Sequence, residues 1–239
     1  MITIQKIGKL FMVFLIVAGM ASCNDDDDKA PFTVIGETVT LKKMVDDTAR
    51  YAVAYYAYGN YAMTSAAVKF PSGDSIALSA MEGYKQTFYK DPASADYSKD
   101  TPEEGTFTFT VVNEGITHTA TDELEVKNFD VPTITEVTAN TGNTSITVKW
   151  DKVTNADGYV IRLMNDEDEV VFISTFIPNT SDNFVISSNT GLKETLESGK
   201  TYTVDLQALL YEDSATASDR GWNVEMISIA SEDVVYANN

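Results

Sequence analysis

Between Gly105 and Asn113 the chain reads Thr106-Phe107-Thr108-Phe109-Thr110-Val111, with every second residue apolar. Side chains of a strand alternate between two faces, so this run predicts a strand that turns Phe107, Phe109 and Val111 into a core. Short runs rich in Val, Ile, Thr, Tyr and Phe recur from Phe32 to the C-terminus, broken by Gly, Asn, Asp, Ser and Pro. That pattern predicts strands and turns throughout. No long stretch carries a clean helical period. Thr48 to Ala67 is rich enough in alanine for a helix, but its tyrosines and the central Gly59-Asn60 favour a hairpin. Glycine first in a two-residue loop suits a type II′ turn. The expected fold class is all-β.

In the first half, strands are expected over Phe32–Leu41, Arg50–Tyr58, Tyr61–Phe70, Ser75–Met81, Gly83–Tyr89, Gly105–Asn113 and Ile116–Val126. Pro71-Ser72-Gly73-Asp74 and Asn113-Glu114-Gly115 are turn signals. Asp91 to Glu104 is polar, contains Pro92 and Pro102, and reads as an exposed loop. Antiparallel strands at this spacing predict a β-sandwich over residues 31–130. The stretch resembles immunoglobulin-like modules of bacterial surface proteins.

The second half, residues 131–239, carries more specific signals. Ile146, Val148 and Trp150 share one strand face, and after the turn Asn155-Ala156-Asp157-Gly158 so do Tyr159, Ile161 and Leu163. Further on, Leu196, Gly199 and Tyr202 fall three residues apart and lead into an alternating strand through Val204, Leu206 and Ala208. With Val131-Pro132 at its opening, this half resembles a fibronectin type III domain. The resemblance implies that Trp150 is central to the core and that Tyr202 turns a corner and bonds through its hydroxyl to nearby backbone. Near the end, Trp222, Val224 and Met226 share one phase while Ile227 and Ile229 take the other, which predicts a bulge or a break.

The N-terminus is of a different kind. Lys6 and Lys9 precede an apolar run, Leu10 to Met20, followed by Ala21-Ser22-Cys23. A basic end, a short apolar core and small residues before a cut make residues 1–22 a secretory signal peptide. The run is shorter than the roughly 18 residues a membrane-spanning helix needs. Small residues before a cysteine resemble the lipobox of bacterial lipoproteins, with Met20 where that family usually has leucine. The resemblance implies cleavage before Cys23, a diacylglycerol on its thiol and an acyl chain on its new amine. Cys23 is the only cysteine; a secreted chain with one thiol cannot close an internal disulfide with it. Several acyl chains anchor firmly, at about 0.8 kcal/mol per buried methylene.

Residues 23–30 form an acidic tether, Asn24-Asp25-Asp26-Asp27-Asp28-Lys29. Asp-Asp-Asp-Asp-Lys is also an engineered protease site, but its place directly behind an intact lipobox reads it as native. An acidic run there resembles the surface-export signal of Bacteroidota lipoproteins, which implies Asp25, Asp26, Asp27 and Asp28 as the signal. The resemblance also implies lipid anchoring in the outer membrane, facing the cell exterior. The expected organisation is thus two tandem immunoglobulin-like/fibronectin type III-like β-sandwich domains after a lipoprotein signal peptide.

Formal net charge is −19. Nucleic-acid binding needs basic patches, so no nucleic-acid partner is expected. Neutral glycans, cations and basic proteins suit such a surface. His118 is the only histidine. It is expected at an outward strand position, and no serine sits in a nucleophile elbow to complete a triad with it. No glycine-rich phosphate loop is present. With 36 acidic residues, paired carboxylates are inevitable and identify no glycosidase site. Asp151, Asn155 and Asp157, and the acidic turn Asn165 to Glu169, lack the ligand spacing of an EF-hand. No catalytic residue, metal or cofactor is expected.

Tyr51, Tyr55, Tyr56, Tyr58 and Tyr61 form the strongest functional hint in the folded part. Strand phase divides them: Tyr51, Val53 and Tyr55 should face a core, leaving Tyr56 and Tyr58 outside. In the next strand Ala66, Val68 and Phe70 should be buried, leaving Tyr61 and Met63 outside. Tyr56, Tyr58 and Tyr61 are thus ligand-binding candidates, with Trp222 a second one on the loop after Tyr211; flat rings stack on sugars or anchor interfaces. The favoured reading is a non-catalytic surface lipoprotein acting as an extracellular binding or adhesion module, with an external glycan or protein as ligand. The alternative is a structural spacer or accessory subunit of an outer-membrane complex. A carboxylate-based glycoside hydrolase comes third.

The anchor is directly testable. Cys23→Ala should leave an uncut precursor that takes up no labelled fatty acid; normal anchoring of that variant contradicts the lipid reading. Replacing Asp25 to Asp28 by alanine should keep lipidation but turn the protein inward. Unchanged protease accessibility on whole cells reduces the run to a linker.

Overall fold

Asp46 and Asp47 both take positive φ, 49° and 57°, and fold the chain back on itself. Two left-handed residues in a two-residue loop are a type I′ turn, whose twist matches the strands it joins. They connect β1 (Val34–Val45) to β2 (Thr48–Gly59) in a hairpin paired from Val45↔Thr48 to Val34↔Gly59. A computed structural model of the chain describes residues 30–140, 145–187, 190–213, 215 and 223–236. Cys23, Asp25, Asp26, Asp27, Asp28 and Trp222 lie outside them. The protein is all-β, with sandwich-like sheets and, among the described residues, no α-helix.

The first half continues through β3 (Ser65–Lys69), β4 (Ser75–Met81), β5 (Tyr84–Lys90), β6 (Gly105–Asn113) and β7 (Ile116–Leu124). β4 pairs with β3 through Ser75 to Leu78 and with β5 through Ser79 to Met81, so it passes from one layer to the other. One layer holds β1, β2 and β5, the other β3, β6 and β7. Between them lies a core of Val68, Leu78, Phe88, Phe107, Phe109 and Val111. The alternation in β6 is expressed as expected, with Phe107, Phe109 and Val111 no more than 2% exposed. Gly36 is needed at close quarters: a Cβ there would sit 2.2 Å from the Phe109 ring. Glu114 and Gly115, both at positive φ, close the β6–β7 hairpin.

The hairpin expected at Gly59-Asn60 does not form. β2 pairs with β1 and β5, whereas β3 pairs with β4 and β6 in the facing layer. Gly59 is not at positive φ, which a type II′ turn requires. Instead Asn60 ties the crossing to the start of the chain, accepting from the Thr33 amide and donating to the Pro31 carbonyl, both at 2.9 Å. The crossing carries Met63 into the core, so its expected exposure is also corrected. His118 does not point outward either: it pairs with buried Val111 and packs on Phe32 at 4.5 Å between ring centroids.

The second half has strands β8 (Thr133–Asn140), β9 (Ser145–Asp151), β10 (Gly158–Met164), β11 (Val170–Ile173), β12 (Ile177–Pro178), β13 (Asn183–Ser187), β14 (Thr201–Tyr211) and β15 (Val224–Val235). A three-stranded sheet, β13-β9-β8, faces β11-β10-β14-β15. This is an immunoglobulin/fibronectin type III-like sandwich. Ile146, Val148 and Trp150 meet Tyr159, Ile161 and Leu163 across its core. The Trp150 and Tyr159 rings lie 5.3 Å apart. The Glu197 amide donates to the Tyr202 hydroxyl at 2.9 Å, the corner bond that the tyrosine's place implied. The phase change near the end is a bulge at Glu225, where Leu210 pairs with Met226 but Tyr211 with Val224. Beyond it β15 is buried on both faces, Met226 in this core and Ile227 and Ile229 in another.

That other core joins the halves. β1 pairs in parallel with β15, from Thr40↔Met226 to Lys43↔Ile229, so a sheet of twelve strands runs through both sandwiches. Its shared face carries Val39, Leu41, Ala54 and Tyr56 from the first half and Val160, Leu209, Ile227 and Ile229 from the second. Polar groups are buried with them. The Asn223 amide donates to Glu37 Oε1 at 2.9 Å and the Glu125 amide to Glu225 Oε1 at 3.1 Å, while on the opposite face of β1 the Thr38 amide donates to Asp122 at 2.6 Å. Burial pushes the Glu37 carboxyl up to about 8, against the Asn223 bond and with added repulsion from Asp122 and Glu212. Burial likewise pushes Glu212 up to about 7, with Asp122 and Glu225 adding to it.

Two measurements check this architecture. Trp150→Ala should cost roughly 3–5 kcal/mol as a large core truncation. Tyr202→Phe should cost about 0.5–1.5 kcal/mol, the net worth of one hydrogen bond; a tolerant Trp150 contradicts the sandwich core described. The joint predicts a pH dependence. Glu37 holds its proton in the folded state from its ordinary value of 4.5 up to about 8, a range where the unfolded chain has lost it. The unfolded state then binds fewer protons, so stability falls as pH rises through that range. The denaturant midpoint should drop between about pH 5 and about pH 8.5, and Glu37→Gln, which keeps an acceptor for Asn223, should flatten the drop. An equal slope in the variant contradicts the assignment to Glu37.

Candidate functional site

The tyrosine phase in β2 divides as expected, and Val53 and Tyr55 pack on the first core as expected, but Tyr56 and Tyr58, expected outside, face a second core. Tyr56, expected with Tyr58 and Tyr61 to be exposed, is only 3% exposed. Its hydroxyl donates to Asp91 Oδ1 at 2.6 Å, and its ring stacks on Tyr58 at 5.9 Å. Both lie on the face that the β1–β15 pairing turns into an interior. Tyr58 is half-buried there, and burial pushes its phenol well up, with Glu37 and Asp91 adding to it. Tyr61, on the crossing after Asn60, is half-buried as well. These three rings therefore do not form an exposed platform.

The opposite face of β2 opens instead. Tyr51, Val53 and Tyr55 point into the first sandwich, but near its end they are not closed over. Together with Phe70, Ile76 on β4 and Phe107 on β6 they line a groove of about 390 Å³. Its floor is aromatic. Tyr55 stacks on Phe70 at 5.5 Å with 22° between planes, Phe107 lies 5.8 Å from Tyr55, and Phe70 meets Phe107 edge-on at 5.6 Å. Its far wall is the segment after β5, with Pro92, Asp96, Ser98, Asp100, Pro102 and Glu103, and Lys90 stands at the rim. Burial pushes the Tyr55 phenol up to about 12, with Glu103 adding to it. Tyr55 is therefore a neutral hydroxyl, donor and acceptor, at any ordinary pH.

Such a groove can stack flat apolar faces on its rings and accept hydroxyl or amine hydrogens at its carboxylates. His118 does not line it. Among the described residues no three Asp, Glu, His or Cys side chains gather to hold a metal ion. The acidic turns noted in the sequence spend oxygens on backbone: Asp157 accepts from the Tyr211 amide, and Asn165 from the Glu167 and Glu169 amides.

Tyr51, Tyr55, Phe70 and Phe107 read as plain core in the sequence. One signal pointed further. The core-facing positions of β2 are tyrosines where aliphatic residues would fill a closed interior, and a tyrosine hydroxyl needs water or a partner. A long polar segment beside them, rather than another strand, leaves that end open.

No family model and no curated protein matches the chain. Solved structures similar to it include fibronectin type III and tandem immunoglobulin domains. A two-domain fibronectin type III segment of chicken tenascin is 13% identical, covering 76% of this chain and 91% of that one at a TM-score of 0.30. The FN1–FN3 domains of chicken CNTN1 are 12% identical over 84% of this chain at a TM-score of 0.31, and the match spans 64% of their length, under two thirds. The adhesin domain of Epf from Streptococcus pyogenes is 12% identical, covering 80% of this chain and 76% of that domain at a TM-score of 0.32. Likenesses at these scores carry no functional argument, and the fold stands on the strand pairing itself.

Proposed function

We propose that this chain is a non-catalytic binding module of the cell surface. A lipid on Cys23 holds it in the outer membrane, Asp25 to Asp28 direct it outward, and its ligand is an extracellular neutral glycan. The observation that carries the reading is the groove at the open end of the first sandwich, with its floor of Tyr51, Tyr55, Phe70 and Phe107. Sugar rings present flat faces of C–H bonds that stack on aromatic rings, and their hydroxyls donate to carboxylates such as Asp100 and Glu103. A neutral ligand also avoids repulsion from a chain of net charge −19. A second reading, a spacer or accessory subunit of an outer-membrane complex, is favoured by the sheet that runs through both halves and stiffens the joint.

The purified lipoprotein in detergent should bind a neutral oligosaccharide on a glycan array. Tyr55→Ala should weaken that binding by at least about 1 kcal/mol, the scale of an interface anchor, while Tyr84→Ala on the exposed β5 face should not. Binding should change little with salt, since no net ligand charge is involved. Retained affinity in Tyr55→Ala moves the ligand away from the groove. Turnover of any glycan on the panel contradicts the non-catalytic reading, and co-purification with a transporter in place of glycan binding supports the spacer.

A further inference from the structure

The segment between β5 and β6, residues 91–104, touches two places at once. One side walls the groove with Pro92, Asp96 and Glu103. The other side enters the core between the halves. There Tyr97 packs against the shared apolar cluster, and the Lys43 ammonium lies 3.8 Å from its ring centroid. The root of the segment is fixed where Asp91 accepts from Tyr56, and its middle where Tyr51 and Ser98 exchange backbone hydrogen bonds at 2.7 and 2.9 Å.

The second half reaches the same spot through Arg162 on β10. Arg162 is 3% exposed and pairs in register with Asp205 on β14. Its charge acts on Asp91, Tyr56, Tyr97 and Asp205. Among the described residues Arg162 Nε and Asp91 Oδ2 are both buried without a hydrogen-bond partner, and Arg162 Nη2 donates to the Met164 sulfur at 3.7 Å. A guanidinium out of water is costly unless opposite charge compensates it. Here Asp205 stands opposite it on the neighbouring strand, and Asp91, at the root of the segment, is near enough for its carboxyl to feel the charge. An apolar side chain could fill the same space, but it would not fix where Asp91 sits.

We infer that residues 91–104 form a strap by which the second half sets the shape of the groove, with Arg162 and Lys43 as positioning residues that never touch the ligand. The inference rests on reading the groove as the binding site, but the strap itself can be tested without any ligand.

The test is amide hydrogen exchange on the full chain, comparing the parent with Arg162→Met, Arg162→Lys and Lys43→Met. The Ser98 and Asp96 amides, both bonded within or beside the strap, should exchange about tenfold faster in Arg162→Met and Lys43→Met. Amides of β6 and β9 should keep their parent rates, and trypsin should cut sooner after Lys99. Arg162→Lys, which keeps the charge, should restore most of the protection. Unchanged strap exchange in both methionine variants overturns the inference. So does a uniform rise across β6, β9 and the strap, since Arg162 would then support the whole fold and not the strap. If Arg162→Met does not fold, Val160→Ala, a truncation from the second half in the cluster against which Tyr97 packs, decides in its place by the same strap exchange. Once a glycan is found, Arg162→Met should lower its affinity several-fold; failure to find one counts against the proposed function and leaves the exchange result standing.

Discussion

The parallel pairing of β1 with β15 is the constraint on which the rest depends. It makes β1 a central strand, bonded to β2 on one side and β15 on the other, and buried on both faces from Gly36 to Leu41. One face belongs to the first sandwich: Gly36 leaves room for Phe109, and Thr38 bonds to Asp122. The other becomes the shared core. Without that pairing the outer face of β2 would meet water, and Tyr56 and Tyr58 would be the exposed rings.

The joint is unusual in what it encloses. Val39, Leu41, Ile227 and Ile229 supply apolar burial, but Glu37, Arg162, Asp205, Gln207 and Glu225 are buried with them. Interdomain contacts within a chain are commonly small and polar, and allow relative motion. Here backbone hydrogen bonds continue through the joint, and side chains cross it, as when the Asn223 amide donates to Glu37. Motion between the halves would break sheet pairing as well as expose carboxyls, such as Glu37, whose pKa burial raises. Structure at the joint and chemistry at the groove are then connected through one segment, anchored in the first and walling the second.

The groove follows from an ending. A sandwich closes where its layers meet strand against strand. Beside the first half of β2 the neighbouring segment is the polar stretch after β5, which has a 3-10 turn at Ser94–Asp96 and an isolated bridge to Tyr51. Its backbone satisfies itself, as with the Ala93 amide on Asp96, and leaves Tyr51 and Tyr55 in contact with solvent. The aromatic rings that pack on the core further in are the ones left lining an open groove at this end.

Period two was legible wherever one face of a strand met a core and the other met water. Phe107, Phe109 and Val111, and Ile146, Val148 and Trp150, went where their alternation sent them, because the same local geometry governs any strand. Local turns were legible as well, as at Pro71 to Asp74 and Glu114-Gly115, since conformational preference there lies within a few residues. Partner choice was not. Gly59-Asn60 has the composition of a hairpin, yet the chain crosses to the facing layer, because the pairing of β3 with β6 is settled by residues about forty positions away. Nor could alternation tell that the polar-seeming face of β2 would be covered: Tyr56 and Tyr58 are amphipathic, at home against water or in a core with one bond for the hydroxyl. Residues of the chain determined by themselves that it would be strands in layered sheets, and which side chains shared a face. Which of those faces became interior, joint or groove was decided only when β1 met β15, a contact between strands nearly two hundred residues apart that no local pattern encodes.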